Sequence, residues 1–84
     1  MKIILSKKAE DDLEYWKQND AKKFAKIKLL ISDIISHPYS GLGKPEALRF
    51  ELSGQWSRRI DHEHRLLYEI KDERIIIHQC RFHY

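Results

Sequence analysis

The residues of this 84-residue chain that can do chemistry lie mostly in its second half. Positions 56–70 read WSRRIDHEHRLLYEI, and the sequence closes on Arg81-Phe82-His83-Tyr84. Histidine, carboxylate and arginine in one stretch suit cleavage of a phosphodiester by acid–base catalysis. Such a reaction needs a base for the attacking hydroxyl, an acid for the leaving oxygen and a cation for the charge that builds on phosphorus. Glu46, Glu51, Asp61 and Glu63 are candidates for the base, and His62, His64 and His83 for the acid, because histidine titrates near neutrality. Arg59, Arg65 and Arg81 are candidates to hold the phosphate through their planar forks. Spacing alone does not choose among them, and the ordinary fate of a strand charge is solvation or ion pairing.

Other chemistries fit less well. His62 and His64 straddle a turn while His78 and Cys80 share the core-facing parity, so the four lack the paired close spacing of a structural zinc site. Nothing in the pattern gives Cys80 an electropositive reason to be a thiolate nucleophile. Gly41-Leu42-Gly43-Lys44 falls short of a phosphate-binding loop and precedes a proline where that loop needs a helix. Trp16 and Trp56 read as core residues. Tyr84 is a candidate to stack on an unpaired base, against the alternative of an aromatic packed on the sheet edge or frayed.

The elements that must position these residues follow from periodicity. Lys2 to Leu5 reads as a short strand, and Ser6 as the cap of a helix whose Ala9, Leu13 and Trp16 share one face. Asn19-Asp20 breaks the helix, and Asp20 can cap the next. Residues 21–36 carry a wide apolar stripe of Phe24, Ile27, Leu30, Ile31, Ile34 and Ile35 opposite lysines, and Pro38 ends that helix. The short break makes the pair an antiparallel hairpin. Residues 37–46, HPYSGLGKPE, form a loop ending at Glu46. From Ala47 the period becomes two: Leu48, Phe50 and Leu52, then Trp56, Arg58 and Ile60, then Leu66, Tyr68 and Ile70, then Ile76, His78, Cys80 and Phe82, with turns at 53–55, 62–63 and 71–73. The predicted order is β-α-α-β-β-β-β, an α+β fold with the helix hairpin on one face of a small antiparallel sheet. Arg49, Glu51, Arg59, Asp61, Arg65, Arg81 and His83 share the opposite parity, with Leu67, Ile75 and Ile77 as apolar exceptions. That face is expected to be open and charged.

Composition is consistent with this reading. The chain is long enough for one domain only. Net charge is +3, with eight lysines as the only basic residues of positions 1–43. Six arginines and two lysines follow in positions 44–84, so the arginine-rich half is where an anionic partner is expected. A single cysteine excludes an intrachain disulfide, and no apolar run approaches a membrane span, so an intracellular, cytoplasmic protein without membrane contact is expected.

Five motifs in fixed order resemble the Txe/YoeB family of the RelE superfamily, the toxins of bacterial type II toxin–antitoxin pairs. They are Gly43-Lys44-Pro45-Glu46, Leu52-Ser53-Gly54, Trp56-Ser57-Arg58-Arg59-Ile60, Glu63-His64-Arg65-Leu66 and Cys80-Arg81-Phe82-His83-Tyr84. The resemblance spans essentially the whole chain. It implies an endoribonuclease that cuts mRNA in the ribosomal A site, without metal or cofactor, leaving a 2′,3′-cyclic phosphate and a 5′-hydroxyl. It implies Glu46 as base, Arg65 as transition-state cation, His83 as acid, Tyr84 as a substrate contact, and Arg59 and Glu63 as auxiliary pocket residues. Where that family has lysine then histidine, this chain has Arg49-Phe50. Arg49 keeps a cation for the phosphate but cannot donate a proton, and Phe50 is expected to pack. The implied partners are a YefM/Axe-like antitoxin, the ribosome and mRNA, with homodimerisation also a family feature. The rival readings are a non-nuclease toxin of the same fold, as in ParE-like gyrase poisons, and a basic module that only binds nucleic acid. Neither needs the Glu46, Arg65, His83 and Tyr84 set.

Overall fold

The structure is a computed structural model describing residues Met1–Tyr84. Its elements are β1 (Lys2–Leu5), α1 (Lys7–Asn19), α2 (Ala21–Ser36), β2 (Glu46–Ala47), β3 (Trp56–Arg59), β4 (Arg65–Lys71) and β5 (Arg74–Gln79), with a single 3₁₀ turn at Phe50–Leu52. This is the α+β order read from the sequence. Ser6 caps α1 by accepting from the Ala9 amide at 3.0 Å, and its hydroxyl donates to the His78 carbonyl at 2.7 Å. Asp20 closes α1 through its own amide and caps α2 by accepting from the Lys23 amide. The helix hairpin therefore has one polar residue serving both of its inner ends.

The sheet runs β1-β5-β4-β3-β2. Strands β2 to β5 pair antiparallel as predicted, but β1 runs parallel to β5, with Ile3 opposite Ile75 and Leu5 opposite Ile77. The sheet is thus mixed, where an antiparallel one was expected. A parallel pair needs a long crossover, and everything from α1 to β4 supplies it.

Two stretches break the simple alternation. Only Glu46 and Ala47 pair with β3, because Phe50 takes a left-handed backbone (φ 57) and turns the chain into the 3₁₀ segment. Leu48 is buried, but Phe50 stands 84% exposed, so the expectation that it packs is corrected. On β5 the register slips: Leu67 faces Gln79 while Tyr68 faces Ile77, leaving His78 as an extra residue. This β-bulge moves the parity by one. Ile75, Ile77 and Cys80 all reach the core as a result, and His78 instead meets Glu69 at 2.6 Å on the other face. His78 is satisfied as expected, but not beside Cys80.

The core lies between the helices and one sheet face: Ala9 and Trp16 from α1, Ile27, Leu30 and Ile34 from α2, and Leu66, Tyr68, Ile75, Ile77 and Cys80 from the sheet. Arg58 shares that face and has no exposed surface. Its guanidinium donates to Asp33 at 2.6 Å and to the carbonyls of His37, Ser40 and Leu42, while its Nε donates to the Tyr68 hydroxyl at 3.2 Å. Tyr68 passes the network on to the Pro38 carbonyl at 2.6 Å. One buried cation thereby holds the loop that delivers Glu46. The Leu42 amide, and after it the Arg58 guanidinium, hold the Asp33 carboxyl below the usual carboxylate range.

Candidate active site

The face away from the helices is organised by one row across four strands. Glu46 faces Ser57, Ser57 faces Leu67, and Leu67 faces Gln79. Directly opposed residues point the same way, so these four side chains line one strip of the open face. Arg59 and Arg65 face each other on the same side, two residues further along β3 and β4. With neighbouring strands about 4.8 Å apart, the two arginines stand within reach of one phosphate.

The C-terminal segment folds back over this strip. Gln79 Nε2 donates to the His83 carbonyl at 3.3 Å, and the His83 and Tyr84 rings lie 4.9 Å apart. Leu67 and Ser57 are buried although they point away from the helices. Tyr84 then reaches the far side: it lines a surface pocket of about 350 Å³ together with Glu46, Leu48, Arg49, Phe50 and Leu52. A volume of that size admits a nucleobase and its phosphate.

Arg65 is fixed without being consumed. Its Nη1 donates to the Asp61 carbonyl at 2.7 Å and to the His64 carbonyl at 3.2 Å, while Nη2 and Nε keep their donors free. The turn that carries it is held by Asp61, whose Oδ1 accepts from the Glu63 and His64 amides at 2.8 and 2.6 Å, and whose Oδ2 meets Lys23 at 3.0 Å. Partial burial raises the Asp61 pKa, but the Lys23 ammonium and the two amides outweigh it and bring the carboxyl down to about 2. Asp61 is therefore a turn brace, and the candidate bases narrow to the others. Glu63 is exposed, 3.7 Å from the His64 ring.

Arg81 is not brought to the pocket. Its guanidinium carbon sits 3.4 Å from the Tyr15 ring centroid and 4.5 Å from that of Phe82, clasped against α1. His62 is exposed, whereas His64 is buried. Burial, reinforced by the Asp12 carboxylate, pushes the Cys80 thiol up to about 12 and leaves it inert. Sequence reasoning missed Ser57 and Gln79, which floor the strip and tether the tail. The period-two count pointed both Ser57 and Gln79 to this face, but neither has the charge that marked the candidates.

A helix hairpin on one face of a mixed five-stranded sheet, with Glu46, Arg59 and Arg65 on the other, defines a small α+β protein with an open charged face. The comparisons place it further. The family model for the YoeB-like toxin of bacterial type II toxin–antitoxin systems matches residues 5–84. Toxin YoeB of Escherichia coli K12 is 48% identical over 84 residues, with all of both chains covered. Among solved structures, a YoeB/ParE toxin from Agrobacterium tumefaciens is 43% identical with a TM-score of 0.98, each chain covered completely. Two Staphylococcus aureus structures, a heterotetrameric YoeB–YefM toxin–antitoxin complex and a YoeB dimer, are both 44% identical, with TM-scores of 0.92 and 0.93; each covers all of this chain and 98% of its own. The chain belongs to the YoeB-like toxin family of type II toxin–antitoxin systems.

Proposed function

We propose that this toxin is a ribosome-dependent endoribonuclease that cuts mRNA in the A site and so halts translation. The observation that supports the reading is the open face, where Glu46, Arg49 and Tyr84 line one pocket, the Arg59–Arg65 pair lies on the same side of the sheet, and His83 is tethered to Gln79. In this mechanism Glu46 takes the proton of the ribose 2′-hydroxyl, and the 2′-oxygen attacks the adjacent phosphorus. Arg65, with Arg59 and Arg49, meets the negative charge that builds on the phosphoryl oxygens. His83 gives its proton to the departing 5′-oxygen, which leaves as a hydroxyl while the other fragment keeps a 2′,3′-cyclic phosphate. Tyr84 and Phe50 offer aromatic faces to a base splayed out of its stack. Glu63 orients the Arg65 turn from its exposed flank.

The partners proposed with this activity are the 70S ribosome, its mRNA and a YefM-like antitoxin, in the cytoplasm, and the toxin forms a homodimer when free of antitoxin. The supporting observations are the S. aureus complex and dimer and the exposed aromatic side chains of the pocket, Phe50 and Tyr84. No helix is long and apolar enough to cross a membrane. The test is induced expression in bacteria with mapping of message 5′ ends. Cuts inside A-site codons are expected, and they disappear for His83→Ala and Glu46→Ala. Growth arrest without new 5′ ends would instead favour a non-nuclease toxin, and message binding that survives both changes with its effect intact would favour a binding module.

A further inference from the structure

His64 is the one buried histidine of the molecule, and the mechanism above gives it no proton to move. Its Nδ1 accepts from the Phe82 amide at 2.7 Å, and the next residue, Arg65, donates its amide to the Phe82 carbonyl at 2.9 Å. Two adjacent residues thus grip both ends of Phe82. That grip falls where the chain has to be held. Phe82 has φ 66, a left-handed backbone that crowds the β-carbon of a bulky residue and is otherwise left to glycine or asparagine. The turn it makes sends His83 and Tyr84 back over the sheet; an extended Phe82 would carry them on along the line of β5.

The ring of His64 is itself packed between two others: Trp16 meets it edge-on at 4.8 Å and 80°, and Phe82 lies 5.8 Å away. The His64 backbone is held as well, its amide donating to Asp61. Trp16 also donates its indole N–H to the Cys80 carbonyl at 2.8 Å, so α1 supports both the latch and the strand end. Since Nδ1 accepts, the ring proton sits on Nε2, toward the Glu63 carboxylate at 3.7 Å.

We infer that His64 is a positioning residue: its Nδ1 lone pair latches the left-handed Phe82 and so sets His83 and Tyr84 over the pocket. This rests on the proposed roles of His83 and Tyr84 in message cleavage. His64→Leu keeps the volume and removes the acceptor. His64→Asn restores an oxygen acceptor near the Nδ1 position. Phe82→Gly removes the cost of the left-handed turn and so lessens the need for a latch.

The experiment measures single-turnover cleavage on programmed ribosomes, toxin affinity for those ribosomes, and amide exchange of Phe82 by NMR. For His64→Leu the expected result is much faster exchange at Phe82 and a cleavage rate down by about 10²-fold, the scale of an ångström's misplacement, with affinity within about threefold. His64→Asn should recover most of both losses, and Phe82→Gly in the His64→Leu background should recover part of the rate. A folded His64→Leu protein with wild-type cleavage overturns the latch, as does a His64→Asn protein no better than His64→Leu. If His64→Leu fails to fold, His64→Asn decides alone: Phe82 protection and rate near wild type support the latch, and a lost rate with protection kept overturns it. A wild-type protein that cleaves nothing sinks the nuclease reading instead. The latch is then judged by NMR contacts between the Tyr84 ring and Leu48 or Leu52, which His64→Leu should abolish and which, if kept, refute it.

Discussion

Glu46 begins the row of side chains across the open face, and His83 is tethered through its carbonyl to Gln79, which ends it. His83→Ala should lower single-turnover cleavage by about 10²–10⁴-fold while ribosome affinity holds, since general acid catalysis contributes on that scale. Arg65→Ala should slow the chemical step more than it weakens binding, because the charge it meets develops only in the transition state. A rate unchanged at saturation, with weaker binding alone, would reassign Arg65 to simple anchoring. Phe50 makes a sharper test of the pocket. A buried phenylalanine costs about 3–5 kcal/mol when truncated, whereas Phe50→Gly should leave stability within about 1 kcal/mol in urea unfolding, since no packing is lost and the left-handed strain is relieved. If the exposed ring stacks on a base, the same change should weaken RNA binding by about 1–3 kcal/mol.

Two segments, the 37–45 loop and the β3–β4 turn, aim these residues, and each hangs on one charged side chain. The loop is held by the buried Arg58, with its four acceptors on the loop and α2 and its bond to Tyr68. Arg58→Leu should cost about 3 kcal/mol or more, because several carbonyls and the Asp33 carboxylate lose their donor at once. Gly43 is part of the same clasp: its φ is 79, its carbonyl accepts from Arg59 at 2.7 Å, and an added Cβ would stand 3.0 Å from Leu30 and 3.1 Å from the Arg59 carbonyl. The β3–β4 turn depends on ionised Asp61. Its folded pKa, about 2, lies below the unfolded value near 3.9, so its contribution is complete above about pH 4 and is lost as pH falls through about 2. Partial exposure keeps that contribution under about 2 kcal/mol. Acid unfolding curves of wild type and Asp61→Asn should therefore converge below pH 4 and separate above it.

At the scale of the whole molecule, the helix hairpin leaves one sheet face without a partner, and that face carries the Arg59–Arg65 pair. Net charge is only +3, so binding to single-stranded RNA should depend on the local arginines far more than on bulk attraction. Arg49→Ala and Arg59→Ala should each reduce the slope of log affinity against log salt by about 0.7, the value for one phosphate contact on a single strand. Arg81→Ala should leave that slope unchanged, because its guanidinium is spent on Tyr15 and Phe82.

Residue types and periods settled the element order, the helix hairpin and the open charged face, because amphipathic spacing and capping are local. They also confined the candidate bases, acids and cations to a short set, and the resemblance of five motifs ranked them. Local pattern could not reveal the parallel β1–β5 pair, since strand direction across a long crossover depends on the whole chain. Nor could it reveal the bulge at His78, where one extra residue reverses which side chains are core. Phe50 and Phe82 looked like core residues by parity; their left-handed backbones took both out of the alternation, and that of Phe82 is held by His64 and Arg65, distant in sequence. From sequence, Arg58 read as a member of the core-parity set and His64 as a candidate acid. Only the tertiary structure made one the clasp of the loop before Glu46 and the other the grip on the tail that carries His83, because a buried polar group's role is set by the partners that close around it.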